Sequence, residues 1–299
     1  MKKLSKILLA LVLLTYLLIV WGGVVRGSGS GLGCPDWPLC HGQWIPPFRQ
    51  DVLIEYTHRL LASMVGFLTL GLSIFIWIKK ELRQRFGKKC GVILALLFVQ
   101  VLLGGVTVKS ELHPYIVTVH LMTALIFLML ILHTYLGARD AWSVARDSSF
   151  GTRETEKREP STERPVKWYR LSHWTLIALF FQILLGGLVA ASNAGLACPD
   201  FPLCQGVWLP NLQGLVALQF LHRVVALLVF LMVLVLSAGL WKHPFAKNIL
   251  LLVVLQILLG IANVLLGLPF WIRVGHLAVA IALFAALIWN TYELRRNIE

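Results

Sequence analysis

GLGCPDWPLCHGQWIP (Gly31–Pro46) and GLACPDFPLCQGVWLP (Gly195–Pro210) are the same loop written twice, identical at 11 of 16 positions across an offset of 164 residues. That offset also pairs Gly22-Gly23 with Gly186-Gly187, His58-Arg59 with His222-Arg223, and Lys6 with Arg170. Farther along, an offset of 156 pairs QVLLG (Gln100–Gly104) with QILLG (Gln256–Gly260), and His120-Leu121 with His276-Leu277. The chain is a duplication, and whatever fills the space between these landmarks must be read twice.

That filling is apolar. Of 299 residues, 58% are hydrophobic and 14% charged, against roughly 45–50% and about 25% in soluble domains. Eight apolar stretches are legible: Ile7–Val25, Leu60–Ile78, Val92–Val108, Ile116–Leu136, Leu171–Ala191, Leu218–Leu240, Ile249–Leu266 and Ile272–Tyr292. Each approaches the roughly 20 residues that cross a bilayer as a helix. Runs such as LLALVLLTYLLIV (Leu8–Val20) do not alternate as barrel strands do. The predicted fold class is an all-α integral membrane protein of eight transmembrane helices. They form two duplicated four-helix bundles, parallel repeats about a pseudo-two-fold axis along the membrane normal. The first stretch follows MKKLSK, as a signal peptide would. Its length, the lack of a small-x-small cleavage site and its counterpart in the second half assign it to the mature fold.

Charge orients the bundle. With the N-terminus inside, only Arg26, Arg49, Arg59, Lys109, Arg223 and Arg273 of the 27 lysines and arginines fall outside. The positive-inside rule then puts both termini in the cytoplasm of a bacterial cell membrane, with membrane lipid around the spans. It also accounts for the net charge of +13. No basic stripe interleaved with aromatics is visible, so nucleic acid is not a partner. The expected organisation is an N-terminal half (1–142), a polar, Pro-containing cytoplasmic linker (143–168) and a C-terminal half (169–299). The linker is expected to be a mobile connector rather than a binding tail.

The duplication sorts nine histidines. His58, His120, His222 and His276 recur between halves, near the starts of the second, fourth, sixth and eighth stretches and so at one depth. A single histidine there is an ordinary interfacial hydrogen-bonder. Two per bundle, on separate helices, is the arrangement that clamps a haem between imidazoles in an apolar slot. Zinc suits it less, with no carboxylate or thiolate to complete a tetrahedron. Arg59 and Arg223 follow two of these histidines; each could pair with a propionate or reach toward headgroups.

Cys34 with Cys40 and Cys198 with Cys204 lie in the outer loops, where local disulfides are expected. A redox role is the sharper alternative. Cys90, at the inner end of the third stretch, reads as an inert thiol. Glu55 breaks the repeat: it precedes His58 by one helical turn, and its counterpart is Gln219. An acid at a helix start complements the macrodipole. Beside a haem edge it could instead accept protons or stabilise positive charge. One half with the acid and one without suggests a reactive site and a supporting one.

Taken together, EYTHR (Glu55–Arg59), QFLHR (Gln219–Arg223), His120, His276 and the outer Cys pairs make the chain resemble the heme A synthase family along all eight stretches. The resemblance implies conversion of haem O to haem A for terminal oxidases, by oxidising the C8 methyl to a formyl group through hydroxylated intermediates. It implies haem O, the substrate, and haem A, the product, between His58 and His120, with Glu55 near the reacting edge. It implies haem b between His222 and His276. Haem O synthase, a terminal oxidase and an electron-transfer partner are the implied protein partners. With both histidines on iron, no position is open to dioxygen. Either one histidine leaves, or the methyl is oxidised by electron removal and attacked by water. Two rivals remain: a dihaem b-type electron-transfer cytochrome and a membrane thiol oxidase. Haems at one depth and the lone Glu55 argue against the first, and the wide Cys spacing argues against the second.

Overall fold

A computed structural model of the chain describes residues 1–149 and 164–298. Eight long helices account for most of them: α1 (Lys2–Gly27), α2 (Gln50–Ile78), α3 (Lys80–Lys109), α4 (Pro114–Ser149), α5 (Arg164–Ala191), α6 (Gly214–Gly239), α7 (Pro244–Leu265) and α8 (Phe270–Arg296). All eight are long and apolar enough to cross a membrane. Among the described residues there is no strand, only isolated bridges between Cys40 and Gln43 and between Cys204 and Val207.

Local chemistry sets the helix ends. Pro114 and Pro244 open α4 and α7, where a missing N–H costs nothing. Arg26, Lys109, Arg295 and Arg296 occupy last turns, where positive charge meets the C-terminal dipole. The helices outrun their apolar stretches. His58 and His222, expected near the starts of their spans, therefore sit about two turns inside α2 and α6. The segment read as a linker is also helical at both ends, through Ser149 and from Arg164; the rest of it, 150–163, lies outside the described residues.

In the N-terminal half α1 packs on α2, α2 on α3, α3 on α4, and α4 returns to α1; α5 to α8 close a second circuit in the same order. The circuits meet through α1, α4, α5 and α8. Leu8, Leu11, Leu125, Ile131, Phe284 and Leu287, on three of these helices, are buried in the core. Bulky side chains point outward instead, Phe67 at 76% and Leu251 at 68% exposure, as lipid-facing positions would.

Polar clasps close the seam at both ends. Arg26 donates to Ala190 O, Ala191 O and Asn193 Oδ1, joining α1 to the end of α5. At the opposite end Arg139 pairs with Asp140 (2.8 Å) and Glu293 (2.6 Å), while Arg296 reaches the same two acids. Tyr292 donates to Asp140 at 3.0 Å.

Candidate functional site

The duplicated loops hold the N-termini of α2 and α6 in place. Disulfides join Cys34 to Cys40 and Cys198 to Cys204, with Cα atoms 4.7 and 4.6 Å apart. Inside the first loop, Asp36 accepts from the backbone N–H of His41 at 2.6 Å and of Gly42 at 2.7 Å. Asp200 does the same for Gln205 and Gly206, both at 2.7 Å. His41 and Gln205 take positive φ there, each followed by a glycine that also does. The backbone N–H of Gly42, with that of His41 and the field of Arg59, holds the Asp36 carboxyl below its ordinary value. Gly206 and Gln205 do so for Asp200.

Arg59 and Arg223 tie these loops to the histidine helices. Arg59 Nη1 donates to Asp36 O and Leu39 O, and Nη2 to Cys34 O and to Glu55 Oε1, the last at 2.6 Å. Arg223 donates to Leu203 O and Cys198 O. These contacts leave Arg59 only its Nε–H for a propionate unless the loop carbonyls are released.

Glu55 is buried, 4% exposed. Besides the Arg59 pair, its Oε2 accepts from the Cys34 N–H at 2.8 Å. The carboxylate therefore joins the disulfide loop, Arg59 and the turn before His58 into one unit. Gln219 donates instead to Gly195 O at 3.2 Å, its Oε1 buried without a partner. The difference between the halves is thus an ion pair against a single neutral hydrogen bond.

The four repeated histidines share one setting: each ring lies against a glycine of the preceding helix. A Cβ built on Gly22 would stand 3.3 Å from His58 Cε1; on Gly104, 3.7 Å from His120; on Gly186, 2.8 Å from His222; and on Gly260, 3.1 Å from His276. A side chain at Gly186 or Gly260 would displace the ring, so glycine is what lets helix and imidazole approach. His58 and His120 are within electrostatic range of one another, as are His222 and His276. The Nδ1 atoms of His58, His120 and His276 are buried without a partner. Such orphaned nitrogens, on three of the four paired rings in a mostly apolar interior, suit axial ligation of a haem better than structural histidine.

Of the histidines without a counterpart, His133 and His41 are engaged elsewhere, while His243, packed beside Phe245, also has a buried Nδ1 without a partner. His133 Nδ1 lies 3.2 Å from Lys89 Nζ, with its ring edge-on to Tyr292. His41 Nε2 meets Gly33 O at 2.9 Å. Cys90 is a buried free thiol.

Three residues that sequence reasoning missed stand beside the histidines. Gln182 Nε2 lies 3.1 Å from His222 Nδ1, Gln256 Nε2 3.1 Å from His276 Nε2, and Gln100 Nε2 3.4 Å from His120 Nε2. Their signal was in plain sight. QVLLG at Gln100 and QILLG at Gln256 were paired as landmarks, but QILLG occurs a third time at Gln182–Gly186. In each copy the closing glycine is the one on which the histidine rests.

Comparison with known proteins agrees with this arrangement. The family model COX15-CtaA, described as "Cytochrome oxidase assembly protein", matches residues 5–288. A protein of Halalkalibacterium halodurans named "Heme A synthase" is 30% identical over 295 residues, covering 94% of this chain and 93% of that protein. A "Heme A synthase" of Shewanella oneidensis is 30% identical over 329 residues, with the same coverages. One of Shouchella clausii is 32% identical over 263 residues, covering 83% and 82%. With eight membrane-spanning helices and four histidines on glycine seats, the chain belongs to the COX15-CtaA family of cytochrome oxidase assembly proteins.

Proposed function

We propose that this protein oxidises the C8 methyl group of haem O to a formyl group, by way of a hydroxylated methyl, and so makes haem A for a terminal oxidase. The observation that carries the reading is the paired set of glycine-seated histidines, with an ion-paired Glu55 on one pair only. The N-terminal half, 1–142, holds the substrate between His58 and His120. The C-terminal half, 169–299, fits a resident haem b between His222 and His276. The unpartnered, buried Nδ1 of His276 and the close seats on Gly186 and Gly260 support that fit. Bound there, haem b would supply electron transfer.

Glu55 acts on the substrate side. It lies one turn before His58 and pairs with Arg59 at 2.6 Å. Withdrawing electrons from the methyl leaves positive charge on the porphyrin edge, which a fixed negative group in a poorly solvated site stabilises. Arg59 holds Glu55 and the loop. The electron acceptor lies outside the chain.

Both termini face the cytoplasm by the charge division, and the disulfide loops face outward. After reduction, Cys34 and Cys198 are expected to label from outside intact cells. To test the activity, the purified protein's porphyrins are extracted and weighed. Haem O with hydroxylated or formyl derivatives is expected; haem b alone at two sites would make the chain an electron carrier instead.

A further inference from the structure

Two of the four histidine seats are glycine pairs that face both halves. Consecutive residues of a helix point about 100° apart, so a pair presents two adjoining faces. On α1, Gly22 takes the ring of His58 from its own half, while a Cβ built on Gly23 would stand 2.5 Å from Leu277 Cδ2, on α8 of the other half. On α5, Gly186 takes His222, and a Cβ on Gly187 would stand 2.7 Å from Leu121 Cδ2, on α4. Both distances are shorter than a side chain tolerates, so glycine is what admits each leucine.

Each of these leucines adjoins a ligand candidate: Leu121 follows His120, and Leu277 follows His276. Two short routes of chain neighbours and close contacts therefore join the halves. One runs from His120 to Leu121, across to Gly187, and from Gly186 to His222. The other runs from His276 to Leu277, across to Gly23, and from Gly22 to His58. The remaining two seats make no such link. Beside Gly104, Gly105 faces Trp37 of its own half's loop, and beside Gly260 stands Ile261. The routes follow α1 with α8 and α4 with α5, two of the helix pairs that pack across the halves.

We propose that Leu121 and Leu277 are positioning residues that couple the two haem sites, so that filling either half tightens the other half's hold on its haem. The inference rests on the haem reading above and deepens it. With His120 fixed on iron, the α4 turn that carries Leu121 is fixed too, and Leu121 restrains the α5 turn on which His222 rests. A close-packed contact passes such a restriction on instead of absorbing it. The second haem then meets ligands whose freedom is already reduced, which gives positive cooperativity without a large movement. By linkage the effect is reciprocal. A resident haem b prepares the substrate half through Leu277, Gly23 and the Gly22 seat of His58.

The test uses purified full-length protein from cells that make haem O and from cells that do not. Release of haem b to apomyoglobin is the probe, and extracted porphyrin measures the loading of each half. Haem b should leave the loaded protein about tenfold more slowly than the unloaded one. Leu121→Ala should bring the two rates together. Leu125→Ala, one turn along α4 and fully buried, should lower the thermal midpoint and leave the difference in rates intact. In the reciprocal direction, Leu277→Ala should speed loss of haem O from the N-terminal half about tenfold. If Leu121→Ala does not fold, the unaltered protein and Leu277→Ala decide. Equal release of haem b from loaded and unloaded protein overturns the proposal, as does a difference erased by Leu125→Ala as fully as by Leu121→Ala; both results leave the haem reading standing. Absence of any porphyrin from the N-terminal half of the unaltered protein, taken from cells that make haem O, overturns the haem reading itself.

Discussion

The Cβ position of Gly186 on α5 lies 2.8 Å from Cε1 of His222 on α6, closer than any real side chain would tolerate. Helix and imidazole meet there with no room between them, so the ring's orientation depends on the absence of a single carbon. Gly186→Ala gains about 1 kcal/mol of helix propensity and loses about 1–3 kcal/mol to overpacking. The expected result is a thermal midpoint changed by only a few degrees, with haem b affinity lower by about tenfold or more. Unchanged haem b retention would show that the seat does not orient the ligand.

His222→Ala and His276→Ala should each remove the stably bound haem b, because one imidazole does not replace a pair. His133→Ala should leave haem content nearly intact, since His133 is turned toward Lys89 and Tyr292. Porphyrin extraction from the three proteins checks this. Equal loss from all three would mean that the duplication does not mark ligands.

Glu55→Gln preserves an acceptor for the Cys34 N–H but removes the charge paired with Arg59. Both haems should still bind, with formyl product reduced about a hundredfold and substrate or hydroxylated intermediate accumulating. Gln219→Glu should not create a second reactive site. Product analysis by mass decides, and near-normal haem A formation by Glu55→Gln would reduce the acid to a loop fastener.

The two disulfide loops should be sensitive to acid. The carboxyl groups of Asp36 and Asp200 sit below their ordinary value of 3.8 because backbone N–H groups bond the charged form. A carboxyl lowered on folding contributes stability that is complete above its unfolded value and is lost as the pH falls through its folded one. Protection of the His41, Gly42, Gln205 and Gly206 amides, taken relative to their intrinsic exchange rates, should therefore hold at pH 5 and fall away below 3.8. In Asp36→Asn, His41 and Gly42 should exchange faster at every pH, with the acid dependence gone.

Much of this protein was legible in one dimension. Eight apolar runs near the length of a bilayer crossing specified eight helices. The paired offsets picked out His58, His120, His222 and His276, and the duplicated CPDWPLC and CPDFPLC placed the cysteines that are bonded in the structure. What the sequence concealed is what depends on how each helix is turned about its axis. A membrane helix is apolar toward lipid and toward protein alike, so its hydrophobic pattern does not say which face looks inward. That rotation brings Gln182 to His222, forty residues away. It likewise commits Arg59 and Arg223 to loop carbonyls, since a guanidinium takes whatever acceptors the folded loop presents to it. Sequence determined which groups recur in both halves; tertiary structure decided which of them meet a partner on a neighbouring helix, because a hydrogen bond between helices exists only after they have packed.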